Sequence, residues 1–419
     1  MSEVIVIGGG AAGMMAAYTA ASAGHSVCLL EKNEKLGKKI YITGKGRCNF
    51  TNACDFPDFI GNIVSNPRFM YSSGREFGPG DMIAFLENAG CRTKTERGSR
   101  AFPLSDHASD VTKALEKQMD KAGVRVMLRT EVKDIIKDEE NGRFRVRTAK
   151  NRILTADAVV VCTGGLSYPS TGSTGDGYRF ASGFGLKVTS CSPALVPLTV
   201  QETDIAGLQG VSLKAVSVKI HEAAADGSAK KKAVYESEPG ELLFTHFGLS
   251  GPLILKASSL ITKGLSEGRT YRLSIDLKPG LTPEMLNDRI LRDLEGRQNM
   301  QIENALDKLL IAALRPLVLD RAGIDPAKRV RDLSKHERMK LAEVIKSLDF
   351  IVDSTRGYAE AVITQGGVSV KEIDPKTMEA KQCFGLYFAG EVLDVDAFTG
   401  GFNLQIAWST GHAAGSSIL

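Results

Sequence analysis

The chain lacks several features that would each indicate a class of function. Its 53 basic and 49 acidic residues leave a net charge of only +4. Because the basic residues are scattered along the chain, we expect no stable nucleic-acid partner. The longest mostly apolar run, residues 309–319, is short and contains Arg315 and Pro316, so we expect no membrane partner either.

The seven cysteines are odd in number and widely spaced, which argues against a disulfide framework and for reduced thiols. No histidine or cysteine cluster has the spacing of zinc ligands. The chain starts directly on an apolar segment, so we expect no signal peptide. These absences predict a cytoplasmic protein without a bound metal.

The first thirty-one residues contain a complete nucleotide-binding pattern. A strand at residues 4–7 leads into a glycine turn with Gly8, Gly10 and Gly13. A helix at residues 14–23, a second strand at residues 27–30 and the acid Glu31 follow. This spacing predicts a dinucleotide whose pyrophosphate rests on the helix N-terminus. Glu31 is placed to accept hydrogen bonds from a ribose diol, and its charge favours NAD or FAD over NADP. The alternative is a merely structural βαβ unit.

Two further segments suit an anionic cofactor. Residues 36–52 combine lysines, an arginine, glycines and amide side chains in one loop, although a solvated surface loop has the same composition. The apolar run 158–162 ends on Thr163, Gly164 and Gly165, and ligands of open α/β sheets lie at such strand ends.

A strand, acid, glycine turn and helix return almost at the end of the chain. The strand ends on Gly390-Glu391, and Gly400-Gly401 precede the closing helix. A nicotinamide dehydrogenase usually completes its nucleotide domain in one block, whereas a late unit of this kind suits FAD. Glu391 would then hold the ribityl hydroxyls, and the last helix would direct its N-terminus at the flavin.

The pattern between these two ends changes twice. It is short and alternating after Pro193. Between Thr282 and Ile351 it is helical, and helices are predicted to begin at Thr282 and, with a capping-box spacing, at Ser334. We therefore predict an α/β fold in which a discontinuous FAD-binding Rossmann-like domain carries a β-barrel-like insertion and a small helical domain. The FAD-binding domain is predicted to span residues 1–193 with 355–419. The β-rich insertion spans 194–280 with 345–354, and the helical domain spans 281–344.

The chain resembles the bacterial aminoacetone-oxidase-like, or NAD(FAD)-utilising dehydrogenase, flavoproteins, which are similar to the fumarate reductase and glutathione reductase superfamily. The resemblance rests on the stretches GGGAAGMMAA, LGKKIYITGKGRCNFTN, AFPLSDHASDV, CTGGLSYPSTGSTGDGY, LLFTHFGLSGPLIL and GLYFAGEVLDVDAFTGGFNLQIAWSTG. It implies that FAD is surrounded by Gly8, Gly10, Ala11, Ala12, Gly13, Glu31, Lys32, Lys38, Thr43, Gly44, Arg47, Cys48, Asn49, Val132, Thr163, Gly164, Gly165, Gly390, Glu391, Gly400, Gly401, Phe402, Asn403 and Leu404.

Two residues are candidates for catalysis. His246 lies among hydroxyls, glycines and aromatic residues, and histidine suits proton donation near neutral pH; a structural role is the alternative. Cys48 invites a thiol–disulfide interpretation, but five residues separate it from Cys54, a longer spacing than disulfide reductases use. Packing near the flavin is the other interpretation of Cys48.

These observations predict an FAD-dependent oxidoreductase that moves hydride through flavin N5 to or from a small organic substrate. Reduction of an activated carbon–carbon double bond and oxidation of an amine both stay open. No second complete nucleotide fingerprint is present between residues 190 and 360, so NAD(P)H would act only as a transient reductant. The alternatives are a flavin-dependent thiol–disulfide reductase and a non-catalytic flavin-binding regulator or RNA-modification partner.

Overall fold

The computed structural model describes residues 1–224 and 229–419. Its contacts divide the chain into two compact units, the first formed by Met1–Ala194 with Tyr358–Leu419 and the second by Leu195–Gly357. The chain thus leaves the first unit once and returns to it. Within the described ranges, no helix is both long and apolar enough to cross a membrane.

A five-stranded parallel sheet forms the centre of the first unit. Its strands lie in the order Leu386–Phe388, Ala158–Val161, Glu3–Ile7, Ser26–Leu30 and Arg125–Met127. The central strands are apolar and almost entirely buried, as a parallel sheet covered on both faces requires. The α/β prediction is confirmed, and the late strand shares a sheet with the first one.

The first and last helices of this unit, Ala11–Ser22 and Phe402–Ser416, pack against each other. A Cβ atom on Gly411 would overlap the carbonyl oxygen of Ala12, so the glycine lets the two backbones approach closely. The single tryptophan, Trp408, is fully buried and donates its ring N–H to the carbonyl of Phe50 at 2.9 Å. The two ends of the chain therefore fold as one body.

Shorter elements complete the first unit. Its other strands are Thr51–Asn52, Ile63–Ser65, Thr93–Glu96, Arg100–Pro103, Val132–Lys137, Phe144–Thr148, Ile153–Ala156, Ser192–Ala194, Ile363–Gln365 and Asp396–Ala397. Its other α-helices are Lys38–Ile42, Phe56–Gly61, Ser73–Glu76, Pro79–Asn88, Ala108–Lys121 and Asp176–Gly183.

The second unit contains a seven-stranded antiparallel sheet. The strand Ser212–Ala223 pairs with both Gly240–Phe244 and Tyr271–Asp276, so the sheet closes on itself as the β-barrel-like prediction requires. The remaining strands are Leu198–Val200, Ala229–Glu236, Gly248–Ser250 and Leu348–Thr355.

Helices of the second unit share one hydrophobic core with this sheet. Thr282 caps the helix Pro283–Leu294 by accepting a hydrogen bond from Met285 N, and Ser334 forms a capping box with Glu337, so both predicted helix starts are confirmed. The other helices are Pro252–Ser266, Ile302–Ala305, Arg315–Arg321 and Lys335–Lys346.

Candidate functional site

The first glycine turn forms a cradle of bare backbone. Gly8 has φ +102°, and a Cβ atom there would overlap the carbonyl of Cys162, while one on Gly13 would overlap the carbonyl oxygen of Gly8. Gly10 precedes the helix Ala11–Ser22 without a capping side chain, and the space that its Cβ would take is open. The turn thus leaves helix N-terminal amides free for a phosphate.

Glu31 follows the second strand and is buried. Its Oε2 accepts a hydrogen bond from Gly9 N at 2.7 Å, and its Oε1 accepts from Asn33 N and Asn33 Nδ2, both at 2.7 Å. These bonds fix the carboxylate beside the glycine turn. The fold therefore fixes the position of the Glu31 carboxylate, and its contact with a ribose stays a prediction.

The late acid, Glu391, lies in a network that draws on distant segments. Its Oε2 pairs with Lys39 Nζ at 2.5 Å, and its Oε1 accepts from Ser167 Oγ at 2.7 Å and Thr364 N at 2.9 Å. Lys39 also donates to Ser167 Oγ at 2.5 Å. Sequence reasoning missed Lys39, Ser167 and Thr364; the only signal for Lys39 was its place beside Lys38.

One cavity of the first unit brings the early and late segments together. Of the residues predicted to surround FAD, those that line it are Gly8, Gly10, Ala11, Ala12, Glu31, Lys32, Lys38, Thr43, Val132, Thr163, Gly164, Gly390, Glu391, Asn403 and Leu404. Those predicted residues that do not line it are Gly13, Gly44, Arg47, Cys48, Asn49, Gly165, Gly400, Gly401 and Phe402.

Several of the residues outside the lining have clear local roles. Arg47 pairs with Glu96, and with Asp106 at 2.7 Å, and hydrogen bonds to these two carboxylates raise the pKa of Arg47. Asn49 donates to the carbonyls of Thr51 and Ala101. The side chains of Arg47 and Asn49 therefore bond to other residues of the protein in and around this loop.

The closing helix begins at the cavity. Gly401 precedes Phe402–Ser416 with φ +99° and no capping side chain, and a Cβ atom there would overlap the Thr51 backbone. The Asn403 side chain bonds both backbone groups of Ala397. The N-terminus of this late helix therefore offers amides without a capping side chain to the same cavity as the early turn.

The two predicted catalytic residues lie in different environments. Cys48 is fully buried, and this burial raises the pKa of its thiol to about 12. His246 is exposed in the turn between Gly240–Phe244 and Gly248–Ser250 of the second unit, with its ring 5.0 Å from that of Phe247. The role of His246 as a proton donor stays a prediction.

The residues of the first unit fit a dinucleotide cofactor. A glycine turn with no room for a Cβ at Gly8 or Gly13, two uncapped helix N-termini and two acids that line one cavity define a dinucleotide-binding protein of the Rossmann type. A model described as "HI0933-like protein Rossmann domain" matches residues 2–417. The chain belongs to this HI0933-like family of FAD-binding oxidoreductases.

Two relatives that the chain matches over nearly their whole length agree with this assignment, and one solved structure has a similar fold. The chain is 33% identical to the "Ribosomal RNA dihydrouridine synthase" of Haemophilus influenzae, covering 100% of this chain and 98% of the relative. It is also 33% identical to the "3-dehydro-bile acid delta(4,6)-reductase" of Clostridium scindens, covering 99% and 98%. The fold is similar to that of 3-ketosteroid-delta4-(5alpha)-dehydrogenase from Rhodococcus jostii, with TM-score 0.50, 16% identity, and coverage of 99% and 96%.

Proposed function

We propose that this protein is an FAD-dependent reductase of a carbon–carbon double bond conjugated with a carbonyl group. The observation that carries the proposal is one cavity lined by the early glycine turn, by both acids, Glu31 and Glu391, and by Asn403 and Leu404 of the closing helix. FAD, when bound, supplies hydride transfer. The direction of the reaction is supported by the names of two relatives, a dihydrouridine synthase and a delta(4,6)-reductase, since both describe saturation of such a bond.

In this proposal the chain's own residues bind and orient the cofactor. The amides after Gly10 bind the pyrophosphate, Glu31 holds the adenosine ribose, and Glu391 with Lys39 holds the ribityl chain. With FAD bound, the amides after Gly401 would lie at the flavin and would stabilise the negative charge of its reduced form. His246 donates the proton that accompanies hydride, and NAD(P)H is the transient reductant.

Two substrates follow from the relatives: a uracil base in RNA and a small conjugated ketone. Both accept hydride at the carbon β to the carbonyl and a proton at the α carbon, so each turnover adds one hydride and one proton, which together are two electrons and two protons. The thiol–disulfide alternative is less well supported, because a buried thiol with a raised pKa supplies little thiolate.

The test is the reoxidation of reduced enzyme without oxygen. The purified protein is reduced photochemically and mixed with cyclohexenone, or with uridine-containing RNA, while the flavin absorption is followed. We expect one of these acceptors to reoxidise the flavin with formation of the saturated product. Reduction of the oxidised flavin by aminoacetone, with no reoxidation by either acceptor, would instead favour amine oxidation and overturn the proposal.

A further inference from the structure

Three exposed cations of the first unit, which we call the hairpin cations, are Lys45, Arg97 and Arg100. Arg97 and Arg100 lie at the tip of the hairpin formed by Thr93–Glu96 and Arg100–Pro103. Within the described part of the chain, no carboxylate pairs with any of the three. The cluster therefore presents uncompensated positive charge to solvent.

The acidic residues of the same region are already engaged. Glu96 pairs with Arg47, and Asp106 pairs with Arg47 at 2.7 Å and with Lys94 at 2.6 Å. Two carboxylates thus compensate two cations, and the hairpin cations are in excess. A local excess of positive charge attracts a polyanion, so these cations suit a polyanion-binding site.

The ring of Phe102 brings the two segments of the cluster together. The Arg47 guanidinium lies 4.2 Å from the ring centroid and that of Arg100 lies 5.9 Å from it. On the Gly44 side, a Cβ atom would lie 3.3 Å from the same ring, so the loop that carries Lys45 packs there. The buried Phe102 ring is therefore contacted both by Arg100 and by the backbone next to Lys45.

Asn52 connects this hairpin to the late glycine turn. Its Nδ2 donates to the carbonyl of Gly98 at the hairpin tip at 3.0 Å and to that of Gly400 at 3.1 Å. Ala53 N also donates to the carbonyl of Ser99 at 2.6 Å. Since the proposed function puts the flavin ring at the N-terminus of the closing helix, the hairpin cations border the reactive end of the cofactor.

We propose that the hairpin cations bind the sugar–phosphate backbone of an RNA substrate whose base is reduced at the flavin. This inference rests on the proposed function and assigns its substrate class. Several separated cations suit a chain of phosphodiesters, because each contact releases counterions, whereas a small carboxylate occupies a single cation. Arginine suits this role because its guanidinium forms paired hydrogen bonds with phosphate oxygens.

The test compares two charge-neutralising triple variants of the full chain. In the first, Lys45→Gln, Arg97→Gln and Arg100→Gln remove the hairpin cations. In the matched control, Arg145→Gln, Lys150→Gln and Arg152→Gln remove three exposed cations of the sheet at residues 132–156, none of which has a carboxylate partner in the described ranges. Binding of a fluorescein-labelled RNA stem–loop with a loop uridine is measured by anisotropy at several KCl concentrations.

We expect the hairpin triple to weaken RNA binding about 10-fold to 100-fold and to reduce the salt slope by about two to three, with the control close to the native chain. Equal weakening in both triples, or none in the hairpin triple, would overturn the proposal, as would a raised KM for cyclohexenone with unchanged RNA affinity. FAD content and melting temperature of both triples report correct folding. Failure of the reduced native enzyme to transfer hydride to any acceptor would reject the proposed function. The anisotropy measurement tests RNA binding separately, because it does not require hydride transfer.

Discussion

The early glycine turn and the late strand end at Gly390-Glu391 line the same cavity, but they are held by different kinds of contact. The early turn is mostly local, because Gly13 approaches the Gly8 carbonyl and the acid is held by the amides of Gly9 and Asn33, while Cys162 packs against Gly8 from a distant segment. The late strand end is held by a distant segment, since Glu391 pairs with Lys39, which lies 352 positions away along the chain. We therefore expect the early turn to be sensitive to added side-chain volume and the Glu391 network to be sensitive to loss of charge.

The largest effect is expected from a change of shape at the early turn. Gly13→Ala places a Cβ against the carbonyl oxygen of Gly8, and we expect a loss of about 1–3 kcal/mol in the free energy of unfolding, together with loss of bound FAD. Chemical denaturation of the FAD-free protein and flavin content measure the two effects.

Gly10→Ala is the matched control, because the space around its Cβ is open. It should keep the stability of the FAD-free protein while lowering FAD affinity, since the methyl group enters the space of the phosphate. Equal destabilisation by both substitutions would contradict the proposed cradle.

A smaller effect is expected from a change of charge at the late strand end. Glu391→Gln and Lys39→Met each remove one partner of a charge-assisted hydrogen bond worth about 1.5–3 kcal/mol, so the Kd for FAD should rise about 10-fold to 100-fold. The double variant should lose less than the sum of the single losses, which titration of the FAD-free protein with FAD would show.

Lys35→Met is the control for this pair. Lys35 is exposed, lies over the Tyr41 ring and is not part of the cavity lining. Additive losses in the Lys39 and Glu391 double variant, or an equal loss in Lys35→Met, would show that the ion pair has no specific part in binding FAD.

The same contrast explains what could be predicted from sequence. The early turn, the parallel strands and the caps at Thr282 and Ser334 depend on residues close in sequence, so spacing and residue type were enough. Arg47 was placed at the cofactor, but its partners Glu96 and Asp106 come from later segments. No periodicity relates these residues, so only the folded chain shows the pairing.

A third effect, on stability and not on FAD binding, is expected from pH at Asp396, which lies five residues after Glu391 in the sequence. Burial raises the pKa of this carboxyl to about 6, and its Oδ1 has no hydrogen-bond partner in the described part of the chain. Because the folded pKa lies above the ordinary value of 3.8, the stabilisation is present below about pH 4 and is lost as the pH rises through about 6.

Asp396→Asn removes this dependence. Relative to the native chain, the variant should gain up to about 2–3 kcal/mol of stability between acidic and neutral pH, measured by denaturation across that range. Asp120→Asn, at an exposed position of Ala108–Lys121, is the control. A pH-independent difference between native chain and Asp396→Asn would refute the assignment.

The smallest effect is expected at Cys48, which was predicted to lie near the flavin and which is fully buried in the hydrophobic core of the first unit. Since the thiolate is the reactive form and burial raises the pKa of this thiol to about 12, iodoacetamide should leave Cys48 unmodified in the folded protein. Partly exposed Cys383 reports that the reagent is active, and mass spectrometry of peptides reads both sites. Rapid native alkylation of Cys48 with loss of turnover would restore the thiol–disulfide alternative, because only an accessible thiolate could account for it.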